Sequence, residues 1–249
     1  MDSLSDKNPL VKQIRRAVAR GTLTEDGYAV AEGFHLLEEA LAAKCEIGAV
    51  IVSEAARETS RLPQARLPQT RVVSEKTFRD LCSTESPQGV LALVRPAAWT
   101  LHQILNGCAL VVVLDGVQDP GNAGAILRAA EAFGATGAVF LKGTVNPYNP
   151  KCLRGSAGSV FRLPIVMDGD LSGLRLYAAM PRARQTIEEA DFRGPCGIVI
   201  GSEGHGVSAA LATRVTGVRI PTSGVESLNA AVAAGIMLYE ARRQRTRGK

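Results

Sequence analysis

The chain of 249 residues has few aromatic side chains, which make up only 4% of it. Proteins that hold single-stranded nucleic acid by stacking its bases depend on such side chains, so this composition argues against that class. The cysteines number five, and no two of them have the CxxC spacing. An odd, unpaired set argues against a zinc site or a disulfide framework, and we expect a reducing compartment.

Long hydrophobic runs are also missing. No stretch approaches the roughly 20 apolar residues of a membrane-spanning helix, and the first ten residues, MDSLSDKNPL, lack the apolar core of a signal peptide. The three histidines are scattered along the chain and suggest no metal site. We therefore expect a cytoplasmic protein that binds neither a membrane nor a metal.

Hydrophobic residues make up 46% of the chain and the net charge is +5, which predicts well-formed cores and permits a polyanionic partner. Positive charge in the first half is densest in a predicted helix over residues 8–20. Its basic side chains share one face at helical spacing, and that face is either simply solvated or contacts nucleic-acid phosphates. These side chains are Lys12, Arg15, Arg16 and Arg20.

Residues 109–134, ALVVVLDGVQDPGNAGAILRAAEAFG, predict a strand, a turn and a helix. The apolar, β-branched run 109–114 is typical of a buried strand. Asn122 is expected at or near the N-cap of the helix that follows, and Arg128 lies six residues further on. A polar turn at the carboxyl end of a buried strand is where α/β sheets place their ligand sites.

The order of predicted elements indicates two domains. Strands and helices alternate up to about residue 95, which predicts a small α/β/α domain, and the alternation begins again at residue 108. We therefore predict an N-terminal domain over 1–95, a linker over 96–107 and a C-terminal α/β domain over 108–249.

Two more polar segments follow predicted strands in the second half. The strand 196–200 is followed by GSEGHG, and the strand 217–220 is followed by PTSG and a long helix predicted over about 225–243. Each segment alone also fits a plain turn or a helix start. The glycine cluster has neither the Lys-Ser/Thr of a P-loop nor a dinucleotide fingerprint. A plain turn, however, does not require the carboxylate of Glu203 between its glycines.

Taken together these segments resemble a known family. NAGAILR at 122–128, IGSEGHG at 200–206 and IPTSGVESLNAAVAAGI at 220–236 are similar to the three ordered motifs of the SpoU, or TrmH-like, RNA ribose 2′-O-methyltransferases of the SPOUT class. Residues 146–164 also look like this family. The first 95 residues resemble its accessory substrate-binding domain, which is similar to certain ribosomal proteins, and the most telling pair is Glu32-Gly33.

The resemblance implies a fold and a cofactor. It implies a small N-terminal α/β/α domain that binds RNA, followed by a SPOUT-type α/β domain with a parallel sheet and a deep trefoil knot. S-adenosylmethionine would be held in the knot by main-chain contacts, and the matching positions are Gly201, Ile220 and Leu228. It also implies a homodimer whose interface includes the final helix.

The resemblance further assigns catalytic roles. Arg128 would be the base or proton acceptor for the ribose hydroxyl. Because a guanidinium stays charged in proteins, anchoring of the RNA phosphate, with orientation by Glu203, is the physically simpler role, and both remain open. Asn122 would position Arg128 or the ribose, and Ser227 and Asn229 would shape the site around cofactor and hydroxyl.

The substrate implied is RNA, and an added substrate-binding domain favours large-subunit ribosomal RNA because it can grip a folded shape. Transfer RNA is the alternative substrate. A non-catalytic RNA-binding protein of the same fold is the alternative function, although retention of the three motifs argues against it. The sequence does not distinguish a housekeeping enzyme from one that confers antibiotic resistance.

Overall fold

The computed structural model describes residues 2–57 and 70–246. The chain forms two compact units, Met1–Ala97 with Asn146–Phe161, and Ala98–Val145 with Arg162–Lys249. The predicted linker, 96–107, contributes a short helix to the second unit. Residues 146–161, which we predicted within the C-terminal domain, belong to the first unit.

The first unit contains a mixed five-stranded sheet in the order β1-β4-β3-β5-β2. Strands β1, β4 and β3 are parallel neighbours, and β5 runs antiparallel to both β3 and β2. Its elements are β1 (Asp2–Ser3), α1 (Pro9–Arg20), β2 (Ala29–Glu32), α2 (Phe34–Ala42), β3 (Glu46–Ser53), β4 (Thr70–Val73), α3 (Glu75–Leu81), β5 (Val90–Arg95) and, from later in the chain, α6 (Pro150–Ser156).

Local sequence signals account for two helices of the first unit. Asn8 caps α1 by accepting a hydrogen bond from the main chain of Leu10, and the helix ends at Gly21, whose positive φ closes it. Ser74 caps α3 in the same way. Helices α1 and α3 pack apolar side chains on one side of the sheet, and the buried core includes Ile14 and Phe78. The helix predicted over 8–20 is therefore confirmed.

The second unit contains a six-stranded sheet in the order β11-β9-β10-β6-β7-β8, with every neighbouring pair parallel. The predicted α/β fold with a parallel sheet is confirmed. Its elements are α4 (Leu101–Leu105), β6 (Leu110–Asp115), α5 (Pro120–Ala132), β7 (Gly137–Phe140), β8 (Ile165–Met167), β9 (Arg175–Ala179), β10 (Cys196–Gly201), α7 (Ala209–Ala212), β11 (Val215–Val218) and α8 (Ala230–Thr246).

The strand order of the second sheet reverses between β6 and β10. From β6 the chain proceeds outward to β7 and β8, and then returns to build β9, β10 and β11 on the other side. Asp115 and Gly201 are paired at the carboxyl ends of β6 and β10. A reversal of this kind leaves a crevice at the carboxyl edge, which is the usual ligand site of an open parallel sheet.

Two predicted helix starts are wrong. Asp119, not Asn122, caps α5, and it accepts a 2.7 Å hydrogen bond from the main chain of Asn122. Helix α8 begins at Ala230 rather than near Val225. The preceding residues form an irregular, mostly exposed segment, and several of them line a cavity at the carboxyl edge of the sheet. Among residues 2–57 and 70–246, no helix has the length and apolarity to cross a bilayer.

Candidate active site

Side chains from the three motifs meet at the carboxyl edge of the parallel sheet. Asn122, in the first turn of α5, donates through Nδ2 to Oε1 of Glu203, which follows β10. Asn229, just before α8, donates through Nδ2 to Oδ1 of Asn122 at 3.0 Å. These bonds join residues 81 and 107 positions apart in the sequence.

The hydrogen bonds that link Asn229, Asn122 and Glu203 form a chain in which every donor points towards Glu203. Oδ1 of Asn229 accepts from the main-chain N–H groups of Ala231 and Val232 at 2.9 and 3.3 Å, so Asn229 caps α8. Its amide nitrogen is then the donor to Asn122, whose own nitrogen donates to Glu203. Each amide uses both its acceptor and its donor, which fixes the orientation of both side chains. The chain leads from the positive end of α8 to a carboxylate.

A cavity of about 570 Å³ lies beside this chain. Its walls come from the carboxyl ends of β9 and β10, the residues after β11, and the start of α8. The volume is in the range of small-molecule and cofactor sites. Six predicted site residues line it: Gly201, Glu203, Ile220, Ser227, Leu228 and Asn229.

Residue 201 must be a glycine because of the close packing of its own loop. A Cβ at this position would overlap the backbone of Gly206, because residues 202 and 206 form a short antiparallel bridge that folds the loop back over β10. The glycine therefore permits a tight loop that places Glu203 at the mouth of the cavity. The resemblance implies that the main chain at Gly201 contacts the cofactor, and the structure adds the close approach of the loop.

Asp115 is a site residue that the sequence analysis missed. It is 5% exposed at the end of β6, and its Oδ2 accepts a 2.6 Å hydrogen bond from the main chain of Ser208. It thus ties the far end of the loop that carries Glu203. A single aspartate at a strand end has no distinctive signal, although its position beside the predicted turn was available. Glu226, also unpredicted, lines the cavity and adds a second carboxylate.

Arg128 lies apart from this arrangement. Its side chain is exposed on α5, and among the described residues it forms no hydrogen bond or ion pair. The expected pairing of Arg128 with Glu203 is not present, and the partner of Glu203 is Asn122. Six residues are about one and two-thirds helical turns, so Arg128 and Asn122 leave α5 in different directions.

The basic face of α1, in the first unit, is partly neutralised. Arg15 forms an ion pair with Asp6 at 2.6 Å, and Arg16 forms one with Glu25 at 3.0 Å. These exposed pairs contribute little to stability, but they reduce the positive field of the face. Neither Lys12 nor Arg20 has an ion-pair partner in the described parts of the chain.

The geometry determines what the cavity of the second unit can bind. Its apolar surfaces at Ile220 and Leu228 suit a flat, apolar group, and main-chain atoms at 200–202 offer hydrogen bonds. The carboxylates of Glu203 and Glu226 favour a ligand with positive charge. The second oxygen of Glu203 has no partner among the described residues and is available to a ligand.

Comparisons with known proteins agree with this geometry. The model of the SpoU rRNA Methylase family matches residues 109–239, and that of the MRM3-like substrate binding domain matches residues 8–92. An uncharacterized tRNA/rRNA methyltransferase of Synechocystis is 38% identical, with 96% of this chain and 93% of that protein covered. RlmP of Bacillus subtilis, a 23S rRNA (guanosine(2553)-2′-O)-methyltransferase, is 31% identical over 96% of this chain and 98% of its own length.

Solved structures are similar over the same extent. The SpoU methyltransferase AviRb of Streptomyces viridochromogenes, in complex with AdoMet, has a TM-score of 0.86 and 28% identity, with 98% of this chain and 100% of that chain covered. A structure described as an RNA 2′-O ribose methyltransferase has a TM-score of 0.80 and 34% identity, with 98% of each chain covered. The family match spans more than half of the sequence, all three motifs and the cavity they enclose, and this chain belongs to the SpoU rRNA methylase family.

Proposed function

We propose that the protein transfers a methyl group from S-adenosylmethionine to a ribose 2′-hydroxyl of large-subunit ribosomal RNA. The observation that carries this proposal is the hydrogen-bonded chain Asn229–Asn122–Glu203, which joins the three family motifs at the mouth of one cavity. A non-catalytic RNA-binding protein would have no need of such a joined arrangement.

The cavity fits the cofactor. Ile220 and Leu228 offer apolar surfaces to the adenine, and the main chain at Gly201 offers hydrogen bonds to polar groups. The carboxylates of Glu203 and Glu226 complement the positive charges of the sulfonium and the amine. When bound, S-adenosylmethionine supplies an electrophilic methyl group. Its presence in AviRb supports the same cofactor in this family member.

The residues of the protein position the ribose hydroxyl and provide charge for the RNA phosphate. A ribose hydroxyl is a weak nucleophile, so holding it in line with the methyl group lowers the barrier by several kcal/mol. The free oxygen of Glu203, held by Asn122, is placed to orient a hydroxyl or a cation at the cavity mouth. Arg128, exposed and without a described partner, is available to an RNA phosphate, and Ser227 adds a hydroxyl to the cavity wall.

The names of the relatives favour ribosomal RNA as the substrate. RlmP is a 23S rRNA methyltransferase, and an RlmB of Xanthomonas campestris, a 23S rRNA (guanosine-2′-O-)-methyltransferase, is 40% identical over 58% of this chain. The matched substrate-binding domain also favours a folded RNA. A ribosomal RNA substrate implies action in the cytoplasm. Transfer RNA is the alternative that the experiment below tests.

A homodimer completes the proposal. Val232, Ile236 and Tyr239 recur at helical spacing on α8 and are all exposed, which gives the helix an apolar stripe suited to a second copy. Sedimentation equilibrium would report a dimer for the wild type and a monomer for Ile236→Asp. Two equally dimeric proteins would exclude this stripe from the interface.

A trefoil knot is the remaining part of the proposed fold. The match of residues 109–239 to the SpoU family supports it. Pulling the unfolded chain from its ends would leave it shorter than its contour length if the knot is present. A fully extended chain would exclude the knot.

The experiment that tests the function is transfer of labelled methyl from S-adenosylmethionine to separate pools of unmodified ribosomal and transfer RNA. We expect label in ribosomal RNA that survives alkaline cleavage, because a 2′-O-methyl group removes the attacking hydroxyl. Label only in transfer RNA would keep the reaction and change the substrate. Absence of label in both pools, with RNA bound, would overturn the proposed reaction.

A further inference from the structure

A second cavity, of about 560 Å³, lies within the first unit. Its walls come from the carboxyl end of β3, the start of α2, one face of α3 and the residues before β5. The volume is sufficient for a nucleoside. Phe34 and Phe78 border it but are only 5% and 1% exposed, so they hold the wall in place and show almost no aromatic surface to a ligand.

The polar lining of this cavity has hydrogen-bonding groups that have no partner within residues 2–57 and 70–246. Gln88 accepts through Oε1 from the main chain of Phe34 at 3.1 Å, so its amide nitrogen must point elsewhere, and that nitrogen has no partner among the described residues. The guanidinium of Arg79, one helical turn after Glu75, helps to lower the pKa of that carboxyl by its charge, but it has no hydrogen-bond partner in the described ranges. Both side chains therefore present free donors.

Glu75 provides an acceptor held in place. Its Oε1 accepts from the main chain of Ala55 at 2.8 Å. That bond, followed by one to the Ser53 hydroxyl, lowers the pKa of Glu75, so the group is a carboxylate at neutral pH. The cavity thus combines hydrogen-bond donors with an anionic acceptor held in place.

The loop that supplies Gln88 is held at both ends. At one end, buried Glu32 accepts from the main chain of Ser83 at 3.0 Å and from its hydroxyl at 2.9 Å. At the other end, Gly89 has a φ of +81°, and a Cβ there would press against Ala56. An exposed loop with no role has no need of a buried carboxylate to hold it. The cavity is therefore built in advance of any ligand, which lowers the cost of binding.

We propose that this cavity receives one unpaired nucleobase of the RNA substrate, with Gln88 and Arg79 donating to the edge of the base and Glu75 accepting from it. The inference rests on the proposed RNA substrate and assigns it a second, non-reacting contact. Proteins recognise extruded bases by hydrogen bonds of this kind to the edge of the base.

The sharpest variant is Gln88→Glu. It keeps the oxygen that accepts from Phe34 and replaces the free donor with an acceptor. Arg79→Ala removes the second donor, and Lys76→Ala is its matched control, because Lys76 is an exposed cation of the same helix and does not line the cavity. The measurement is equilibrium binding of a labelled large-subunit ribosomal RNA transcript by the full chain. Methyl transfer and thermal melting are recorded for each variant.

We expect Gln88→Glu and Arg79→Ala to weaken RNA binding about tenfold each, the size of one lost base contact. Lys76→Ala should change it less than about twofold, and melting temperatures should agree. Equal effects of Arg79→Ala and Lys76→Ala would reduce the site to general electrostatics and overturn the inference, as would unchanged binding by folded Gln88→Glu. If the wild type bound RNA without methylating it, the proposed reaction would fail, while a tenfold loss in the variants would still support this cavity.

Discussion

Each unit of the molecule has a carboxylate that accepts hydrogen bonds from a distant part of the chain, but the two carboxylates have opposite surroundings. In the first unit Glu32 is 8% exposed and accepts from Ser83, Thr84 and, at 3.4 Å, Arg154. In the second unit Glu203 is exposed and, among the described residues, accepts only from Asn122. The first carboxylate is satisfied by the protein, and the second retains capacity for something else.

The difference separates stability from function. A buried carboxylate must be fully hydrogen-bonded, because the cost of an unpaired buried charge is several kcal/mol. An exposed carboxylate is hydrated when no ligand is bound, so it can keep a free oxygen at little cost. We therefore expect changes at the first carboxylate to affect folding, and changes around the second to affect the reaction.

The largest effect on the reaction is expected from Arg128→Ala. Loss of the exposed guanidinium should reduce methyl transfer by at least roughly 10²–10³-fold, because a cation aimed at developing or substrate charge contributes that much. Binding of S-adenosylmethionine, measured by calorimetry, should be nearly unchanged, since Arg128 does not line the cavity. Arg214→Ala, another exposed arginine of the second unit, is the control. Near-normal transfer by Arg128→Ala would remove this residue from the mechanism.

The largest effect on stability is expected from Glu32→Ala. The free energy of unfolding should fall by about 3 kcal/mol, as when one partner of a buried ion pair is removed. Glu38→Ala changes an exposed glutamate of α2 and should stay within about 0.5 kcal/mol of the wild type. Urea denaturation measures both. A loss below 1 kcal/mol for Glu32→Ala would show that the buried network does not hold the unit together.

Asn122→Ala tests the second network in isolation. Because Asp119 caps α5, the helix should persist, while Glu203 loses its hydrogen-bond donor. Transfer should fall about 10²-fold, the usual cost of a misplaced reacting group. Asn122→Asp should be at least as impaired, since it sets two carboxylates side by side. A melting temperature that fell as far as in Glu32→Ala would contradict the contrast between the two units.

The smallest effect concerns alkaline pH. Burial raises the pKa of Cys82, Tyr148 and Cys152 to about 12, and the negative charge of Glu32 further raises that of Cys82. All three belong to the first unit. Each of these groups keeps its proton to a higher pH in the folded protein than in the unfolded chain. Its contribution to the free energy of unfolding is therefore complete below the pKa of the unfolded chain and is lost as the pH rises from about 9 towards 12. We expect the urea concentration at the unfolding midpoint to decrease as the pH is raised from 8 to 10.5. The decrease should be smaller in Cys82→Ser than in the wild type. A midpoint that rose over this range would refute the assignment.

Much of the fold was predictable because local signals agreed with tertiary packing. The run LVVVLD has no polar face, so it forms a central strand of a parallel sheet in which both faces are buried. The helix predicted over 8–20 begins where Asn8 and Pro9 favour a helix start. The starts of α5 and α8 were wrong, because Asp119, Asn122 and Asn229 are all acceptable caps and only the structure shows which amides are used elsewhere.

The candidate site was partly predictable as well. Six of the predicted residues line one cavity because their motifs follow strands that end at the same edge of the sheet. Asp115, Glu226 and the cavity of the first unit were missed. Their residues have no distinctive spacing, and they come together only through strand register and loop closure.

The sequence by itself determined the family, the parallel sheet and the residues of the three motifs, since these depend on hydrophobic pattern and on the types of side chain present. The tertiary structure decided which side chains meet. The joining of Asn122, Glu203 and Asn229, and the assignment of residues 146–161 to the first unit, depend on contacts between positions far apart in the chain. No local pattern encodes such pairings, because a hydrogen bond depends on atoms being close in space, whatever their separation in sequence.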